Sequence, residues 1–351
     1  MIKVGTDFSG IGSPEAALKR LGLPHHNIFA CDIDKYAKKS YLANNDTNVF
    51  YDDITTRDFN EVPQLDLYVA GFPCQSFSTA GNRGGFEDTR GTLFFDVAKF
   101  INVNQPNCFI LENVKGLLSH DKGKTYQTIT DVLTNGGGTL NGQMGMDSIE
   151  DGLGYHVYTQ VLNTKDYGIP QNRERIFIVG FKYWREFRFP KKMELKLRLK
   201  DMLQDNPNYF KLYDDYNSKL VNNNIMGTLT CNSGSASKRN GFKLIIEDST
   251  IKVDDKYYLS DKMIEGFKQG SLGHNYKPKE GNRRTNNYIS HSTHTRIRRL
   301  TPLECWRLQG FTDEEFYKAQ KLNSDTQLYK QAGNSITVNV MTEILKKIYL
   351  K

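Results

Sequence analysis

The sequence predicts an α/β protein, with a mostly parallel sheet covered by helices and joined to a smaller, more irregular domain. Three observations predict it. Short apolar runs alternate with amphipathic stretches through the first half of the 351-residue chain, which is the pattern of repeated βα units. Near Trp184 the alternation stops, and Asn, Asp, Lys and Tyr dominate. The charge changes at the same place: residues 1–180 carry 16 basic and 21 acidic groups, and residues 181–351 carry 31 and 19. A neutral-to-acidic half joined to a basic half suggests a polyanionic partner, although a single charge run is most simply a solvated surface.

The elements follow in order. Ile2 to Phe8 reads as the first strand. Ser13 is placed to cap a helix with Pro14 at its first position; Ala16, Ala17, Leu18 and Leu21 form its apolar stripe, and Gly22 ends it. Ile28 to Asp32 is a second strand, followed by a helix from about Lys35 and a short strand from Val49 to Tyr51. The run Asp66-Leu67-Tyr68-Val69-Ala70 reads as a buried strand. A helix through Leu93 to Ile101 and an apolar strand from Asn107 to Glu112 come next, then strands from Tyr155 to Leu162 and Arg175 to Phe181. Residues 135–152 are Gly-rich and read as a surface insertion. Beyond Trp184 strand signals are weak, and a helical segment from Leu303 to Leu308 and the tail from Gln331 to Leu350 close the chain.

Composition narrows the function classes. Hydrophobic content of 38% with 25% charged residues describes a soluble protein. No apolar run approaches membrane-spanning length, and the N-terminus enters a strand without a signal-peptide layout, so a cytoplasmic protein is expected. The five cysteines, Cys31, Cys74, Cys108, Cys231 and Cys305, are odd in number, widely spaced and form no Cys-x-x-Cys. That argues against a disulfide framework and against a zinc site, and no metal is expected.

The most informative stretch is Gly71-Phe72-Pro73-Cys74-Gln75. It ends a strand with a stiff turn and presents Cys74 at the carboxyl edge of the sheet, where open α/β folds do their chemistry. The polar, Gly-containing segment from Ser76 to Gly91 reads as a lid; a buried, inert thiol is the plainer alternative for Cys74. The first βα turn, Asp7-Phe8-Ser9-Gly10-Ile11-Gly12-Ser13, has glycines that let backbone approach a ligand, and Asp32 lies where a carboxylate can bind ribose hydroxyls. Alone, these suit a hydride-transfer enzyme equally well. Asp53 can accept from an adenine amino group or simply cap a helix. Glu112-Asn113-Val114 ends the strand beside that of Cys74, and Arg173 and Arg175 fall on one side of an extended segment, suited to anion binding or to a surface charge pair.

Taken together, these segments resemble the C5-cytosine DNA methyltransferases. The matching runs are residues 7–18, 29–37, 53–55, 71–78, 84–96, 112–116, 166–180, 299–311 and 331–340. They occur in the family's order and cover nearly the whole chain outside residues 185–295. Two departures stand out: Ser13 replaces a second glycine, and Asp32 sits where many members have glutamate. The resemblance implies a Rossmann-like methyltransferase domain from residues 1–184 and 326–351, with a target-recognition domain and hinge from 185–325. It implies S-adenosylmethionine as cofactor (S-adenosylhomocysteine as product), bound by Asp7, Phe8, Gly10, Gly12, Asp32, Ile33, Asp53, Ile54, Pro73, Asn334 and Ser335. It implies Cys74 as nucleophile at cytosine C6, Glu112 on the N3 and amino edge, Arg175 on the base carbonyl and Arg173 beside it. Gln75, Ser78, Arg90 and Thr228 would contact DNA. The expected partner is double-stranded DNA from which the target base is flipped, with a monomeric enzyme paired functionally with a restriction endonuclease or serving phage or host DNA protection. A tRNA cytosine methyltransferase of the same superfamily tends to carry Pro-Pro-Cys and a shorter recognition region; Phe72 and the long basic insert favour DNA. A DNA-binding protein on an inactive scaffold is a third alternative, opposed by the complete catalytic set. The recognition sequence is not legible, because it depends on a few side chains aimed into a groove.

Overall fold

The computed structural model describes residues 1–73, 93–134, 152–204, 210–214, 219–221, 225–231, 243–248, 253–260 and 295–350. Cys74, Gln75, Ser78 and Arg90, the lid segment 76–91 and residues 135–151 of the Gly-rich stretch lie outside the described residues. The chain forms two units, one of Met1–Tyr167, Glu174–Met193 and Ile336–Lys351, the other of Gly168–Arg173 and Glu194–Ser335.

In the first unit the expected βα alternation is present. It runs β1 (Ile2–Asp7), α1 (Ser13–Arg20), β2 (His25–Cys31), α2 (Lys35–Asn44), β3 (Val49–Tyr51), β4 (Leu67–Ala70), α3 (Leu93–Asn104), β5 (Cys108–Val114), α4 (Lys124–Leu133) and β6 (His156–Asn163). The two-residue β7 (Gln171–Asn172) belongs to the second unit; β8 (Glu174–Phe181) returns to the first. The sheet order is β3-β2-β1-β4-β5-β8-β6. Strands β1 to β5 are mutually parallel, and β8 runs antiparallel between β5 and β6. This is the mostly parallel, Rossmann-like sheet that the sequence predicts. Its central strands are continuous apolar runs because both faces are covered: Leu67, Tyr68, Val69 and Ala70 are all at most 2% exposed. Phe94, Phe100 and Ile101 of α3 and Ile129 and Leu133 of α4 complete one core.

The start of α1 differs from expectation. Ser13 does not cap it. Gly12 is the N-cap, at φ +85°, with no side-chain cap bond, and the Ser13 hydroxyl donates instead to the Ile336 carbonyl at 2.7 Å. Gly12 is required twice over, because a Cβ there would lie 2.4 Å from Asn45 Nδ2 and the left-handed backbone disfavours other residues.

The second unit is more regular than its sequence suggests. Strands β9 (Phe210–Asp214), β10 (Lys219–Val221), β12 (Lys243–Asp248) and β13 (Thr295–Arg299) form an antiparallel sheet in the order β10-β9-β12-β13, while β11 (Met226–Gly227) pairs with β7. Helices α5 (Pro302–Arg307), α6 (Asp313–Gln320) and α7 (Asp325–Asn334) follow. Their core is built on Trp306, which is fully buried and donates from Nε1 to the Leu328 carbonyl at 3.1 Å. Gly333 lets α7 approach another segment of backbone: a Cβ there would sit 2.1 Å from the Thr230 carbonyl carbon. Helix α8 (Val338–Tyr349) belongs to the first unit and packs on α1.

Candidate active site

Because β1 to β5 are parallel, their carboxyl ends share one edge of the sheet, and the predicted cofactor residues of the first unit collect there. After β1 the chain turns sharply, with Phe8 at φ 54°, Gly10 at φ 55° and Gly12 at φ 85°. The turn is fixed by Asp32, just past β2, whose Oδ2 accepts from the Gly10 amide at 2.8 Å and whose Oδ1 accepts from the Asp34 amide at 2.8 Å. Ile33 beside it is 81% exposed, a bare apolar side chain on this edge. Asp53 accepts from the Thr55 amide and hydroxyl, each at 2.8 Å, and so caps the short turn Ile54–Thr56. Ile54 is buried and Pro73 partly buried.

Asp7 is placed differently from its neighbours. It is 1% exposed. Its Oδ1 accepts from Arg57 Nη1 at 2.8 Å, and its Oδ2 accepts from Arg57 Nη2 and the Tyr68 hydroxyl, each at 2.7 Å. Its carboxylate is therefore engaged inside the protein. Sequence reasoning missed Arg57 altogether; a lone arginine after a polar turn carries no signal of burial.

Glu112 lies toward the same edge, near the carboxyl end of β5, the strand beside β4. It sits on β5, opposite Phe177 of β8, and its Oε1 pairs with Arg175 Nε at 3.1 Å; the two side chains are 11% and 17% exposed. A Cβ on Gly71 would lie 3.6 Å from Glu112 Oε2, so the carboxyl is adjacent to the strand end that leads into Cys74. The neighbouring Asn113, 2% exposed, donates from Nδ2 to the Phe72 carbonyl at 3.1 Å. Asn113 thus clips the Gly71-Phe72-Pro73 turn to β5, a role its sequence neighbourhood only hinted at.

In the second unit, Arg173 is 2% exposed and donates to the Leu229, Gly333 and Ser335 carbonyls at 2.8, 3.0 and 2.8 Å. It braces the backbone where the 228–229 element meets the end of α7. The Thr228 hydroxyl donates to the Asn172 carbonyl at 2.7 Å. Asn334 is exposed and Ser335 buried. The basic excess of residues 181–351 suggests a polyanionic partner, but not every arginine in it faces solvent. Arg298 is fully buried and paired with Glu247 at 2.6 Å and Glu304 at 2.8 Å, so it is not part of a polyanion-binding surface. Arg296 pairs with Asp255 at 2.6 Å and lies 3.5 Å from the Tyr258 ring centre.

A cavity of about 460 Å³, lined by Asp66, Cys108, Trp184, Arg185 and Tyr349 among others, lies at the opposite, amino ends of the strands and contains none of these residues. Among the described residues no group of His, Cys, Asp and Glu could hold a metal ion, and no helix is long and apolar enough to cross a membrane.

Comparison with known proteins gives the family and the fold. The family model for C-5 cytosine-specific DNA methylase matches residues 3–141 and 145–350. The chain is 36% identical to the type II methyltransferase M.HpaII of Haemophilus parainfluenzae, over 98% of this chain and 88% of that protein. It is 31% identical to the orphan methyltransferase M.SPRI of Bacillus phage SPR, over 99% and 97%. Among solved structures, Dnmt2 methyltransferase of S. pombe shares the fold, with a TM-score of 0.64 at 18% identity over 100% of both chains. The chain belongs to the C-5 cytosine-specific DNA methylase family.

Proposed function

We propose that this DNA cytosine-5 methyltransferase acts through a covalent Cys74 adduct on a cytosine flipped out of duplex DNA, with S-adenosylmethionine as methyl donor. The observation that supports this most is the placement of Glu112: its Oε2 lies 3.6 Å from where a Cβ on Gly71 would be, three residues before Cys74.

The first-unit edge fits the cofactor. Asp32 and Asp53 offer carboxylate oxygens at the ends of β2 and β3, Ile33 offers an exposed apolar face for a purine, and the left-handed turn at Phe8, Gly10 and Gly12 brings backbone close. Pro73 and Ile54 border it. When bound, the cofactor supplies an electrophilic methyl group on a sulfonium.

Cytosine C5 is a weak nucleophile. The Cys74 thiolate attacks C6, forming an S–C6 bond and pushing electron density to C5. Glu112 hydrogen-bonds the N3 and amino edge and donates a proton there as charge develops. Arg175 orients that carboxyl and holds the base carbonyl. Once C5 carries the methyl group, a base takes the C5 proton; the released electron pair re-forms the C5–C6 double bond, the S–C6 bond breaks, and Cys74 leaves as the thiolate. A base inside a duplex cannot reach these groups, so it is flipped, and Gln75, Ser78 and Arg90 contact the DNA around it. Residues 185–325 act as the target-recognition domain and hinge, with Thr228 on the DNA backbone and Arg173 bracing the 228–229 element. The enzyme acts as a cytoplasmic monomer in DNA protection, with a restriction endonuclease as functional companion.

Duplex containing 5-fluorocytosine tests the chemistry, because elimination needs a proton at C5. With S-adenosylmethionine it should trap a denaturation-resistant complex with the wild type and none with Cys74→Ser, which should also lose methyl transfer. Substantial turnover by Cys74→Ser would sink the mechanism.

A further inference from the structure

Four short segments make up the proposed cofactor edge: the turn 8–12, Asp32-Ile33, Asp53-Ile54 and Gly71-Phe72-Pro73. Each is anchored next to one residue that carries, grips or neighbours a single buried carboxylate. Asp7 directly precedes the turn. Cys31, directly before Asp32, is the residue of β2 that stands opposite Asp7 in the sheet register. Arg57, three residues after Ile54, grips both Asp7 oxygens at 2.8 and 2.7 Å. Tyr68, three residues before Gly71, donates to Asp7 Oδ2 at 2.7 Å. The Arg57 and Asp7 side chains are both 0% exposed.

The guanidinium is itself boxed in. Its central carbon lies 4.2 Å from the Phe29 ring centre, 4.7 Å from Phe100, and 5.2 Å from both Tyr51 and Phe59. Rings on these sides and a bidentate carboxylate at its tip leave it one position, which lysine could not reproduce. Ionisation keeps the hub intact. Burial pushes the Cys31 thiol and the Tyr68 hydroxyl up, the Asp7 charge adds to both shifts, and both stay neutral, so the Tyr68 hydroxyl remains a donor. Burial alone would lower Arg57, but Asp7 outweighs it and the net shift is upward. A buried ion pair is a weak source of stability, since well-packed apolar groups often serve as well. Its position here suggests another use.

We infer that Asp7 and Arg57 are positioning residues for the cofactor: one buried carboxylate, with Arg57 and Tyr68 as its donors and Cys31 as its partner across the sheet, sets the mutual register of the four cofactor-binding segments without touching the ligand. This rests on the cofactor edge proposed above. It also gives Asp7 a role that its position at the start of the glycine turn did not predict.

The test is Asp7→Asn combined with Arg57→Met, which removes both charges and keeps the volume filled. The measurements are S-adenosylhomocysteine affinity by calorimetry, amide hydrogen exchange of the ligand-free protein, and the unfolding midpoint. The folded double variant should bind about tenfold or more weakly, equivalent to about 1.4 kcal/mol. Exchange should quicken in peptides covering 8–12, 31–34 and 53–57 and stay unchanged in α8. Arg57→Lys should fall between the wild type and Arg57→Met. If the double variant fails to fold by circular dichroism, Tyr68→Phe and Arg57→Lys decide by the same two readouts. Affinity within about twofold of wild type in a folded variant overturns the inference. A wild type that does not bind S-adenosylhomocysteine overturns the cofactor edge instead, so the two failures are distinguishable.

Discussion

Each unit buries an arginine among carboxylates, and the two arrangements differ in a way that separates function from scaffold. In the first unit Arg57 meets one carboxylate, Asp7, and is otherwise surrounded by aromatic rings. In the second, Arg298 meets two: Glu247 at 2.6 Å through Nε, and Glu304 at 2.8 Å through Nη1 and again through Nη2. Glu304 also accepts from the Gln204 and Thr301 amides, each at 2.8 Å. The first cluster is a neutral pair whose neighbours in sequence are the segments proposed to hold the cofactor. The second joins β12, β13 and the start of α5, and its neighbours are strand and helix. An arginine that organises a site and one that organises a sheet look alike in composition; only what lies one to four residues away tells them apart.

The comparison breaks most sharply at Arg298. Arg298→Met would leave two carboxylates buried without their cation. Removing one partner of a buried pair costs about 3–5 kcal/mol, and the expected loss is at the upper end of that range, read as a lower urea midpoint with an unchanged slope. Arg57→Met strands one carboxylate that keeps the Tyr68 donor, so its stability loss should be smaller. If Arg57→Met proves the more destabilising of the two, the division between a positioning cluster and a scaffold cluster fails.

The same contrast explains what was legible in the sequence. Strands β1, β2, β4 and β5 stand out because a parallel sheet covered on both faces needs consecutive apolar residues, as in Leu67-Tyr68-Val69-Ala70. The ordered motifs around them then point to Asp32, Asp53 and Glu112. In the second unit β13 reads Thr-Arg-Ile-Arg-Arg and β12 reads Lys-Leu-Ile-Ile-Glu-Asp; their charges look solvated until pairing shows that Arg298 and Glu247 satisfy each other in the core. Burial of a charge depends on a partner far away in sequence, here 51 residues, which no local pattern encodes. Ser13 misled for the converse reason. Ser-Pro-Glu is a good helix start, but the neighbouring Gly12 can adopt the left-handed cap and releases the hydroxyl to Ile336.

Glu15 sharpens the comparison as a buried acid without an arginine. It is fully buried and accepts from the Tyr41 hydroxyl at 2.7 Å and the Thr6 hydroxyl at 3.3 Å, with no salt bridge among the described residues. Burial raises its pKa from the ordinary value of 4.5; the Tyr41 and Thr6 hydrogen bonds and His25 oppose this but do not outweigh it. The folded state therefore holds this proton where the unfolded state has released it. Stability is fully present below about pH 4.5 and is lost as pH rises through the raised value. Glu15→Gln, which cannot ionise, should remove that slope, and its urea midpoint should gain on the wild type as pH rises from about 4.5 through the raised value and hold a constant lead above it. A constant offset between the two curves over the whole range would mean that Glu15 titrates alike in both states.

The smallest effect tests whether burial alone sets these costs. Two helices begin with the same reciprocal cap. At α5 the Thr301 hydroxyl accepts from the Glu304 amide at 3.3 Å, and Glu304 accepts from the Thr301 amide at 2.8 Å. At α6, Thr312 and Glu315 do the same at 3.2 and 2.8 Å. Thr312 is exposed and water can replace its bond, so Thr312→Ala should cost about 1 kcal/mol. Thr301 is 1% exposed, and the Glu304 carboxylate that completes its cap also holds Arg298. Thr301→Ala should cost more, because it leaves a buried amide without an acceptor and disturbs the register of the Arg298 cluster. Combining each change with Glu304→Gln separates the two contributions: the Thr301 effect should be strongly non-additive with it, and the Thr312 effect additive within about 0.5 kcal/mol. Equal costs at the two caps would show that the Arg298 cluster tolerates movement at the start of α5, and that its rigidity has been overestimated.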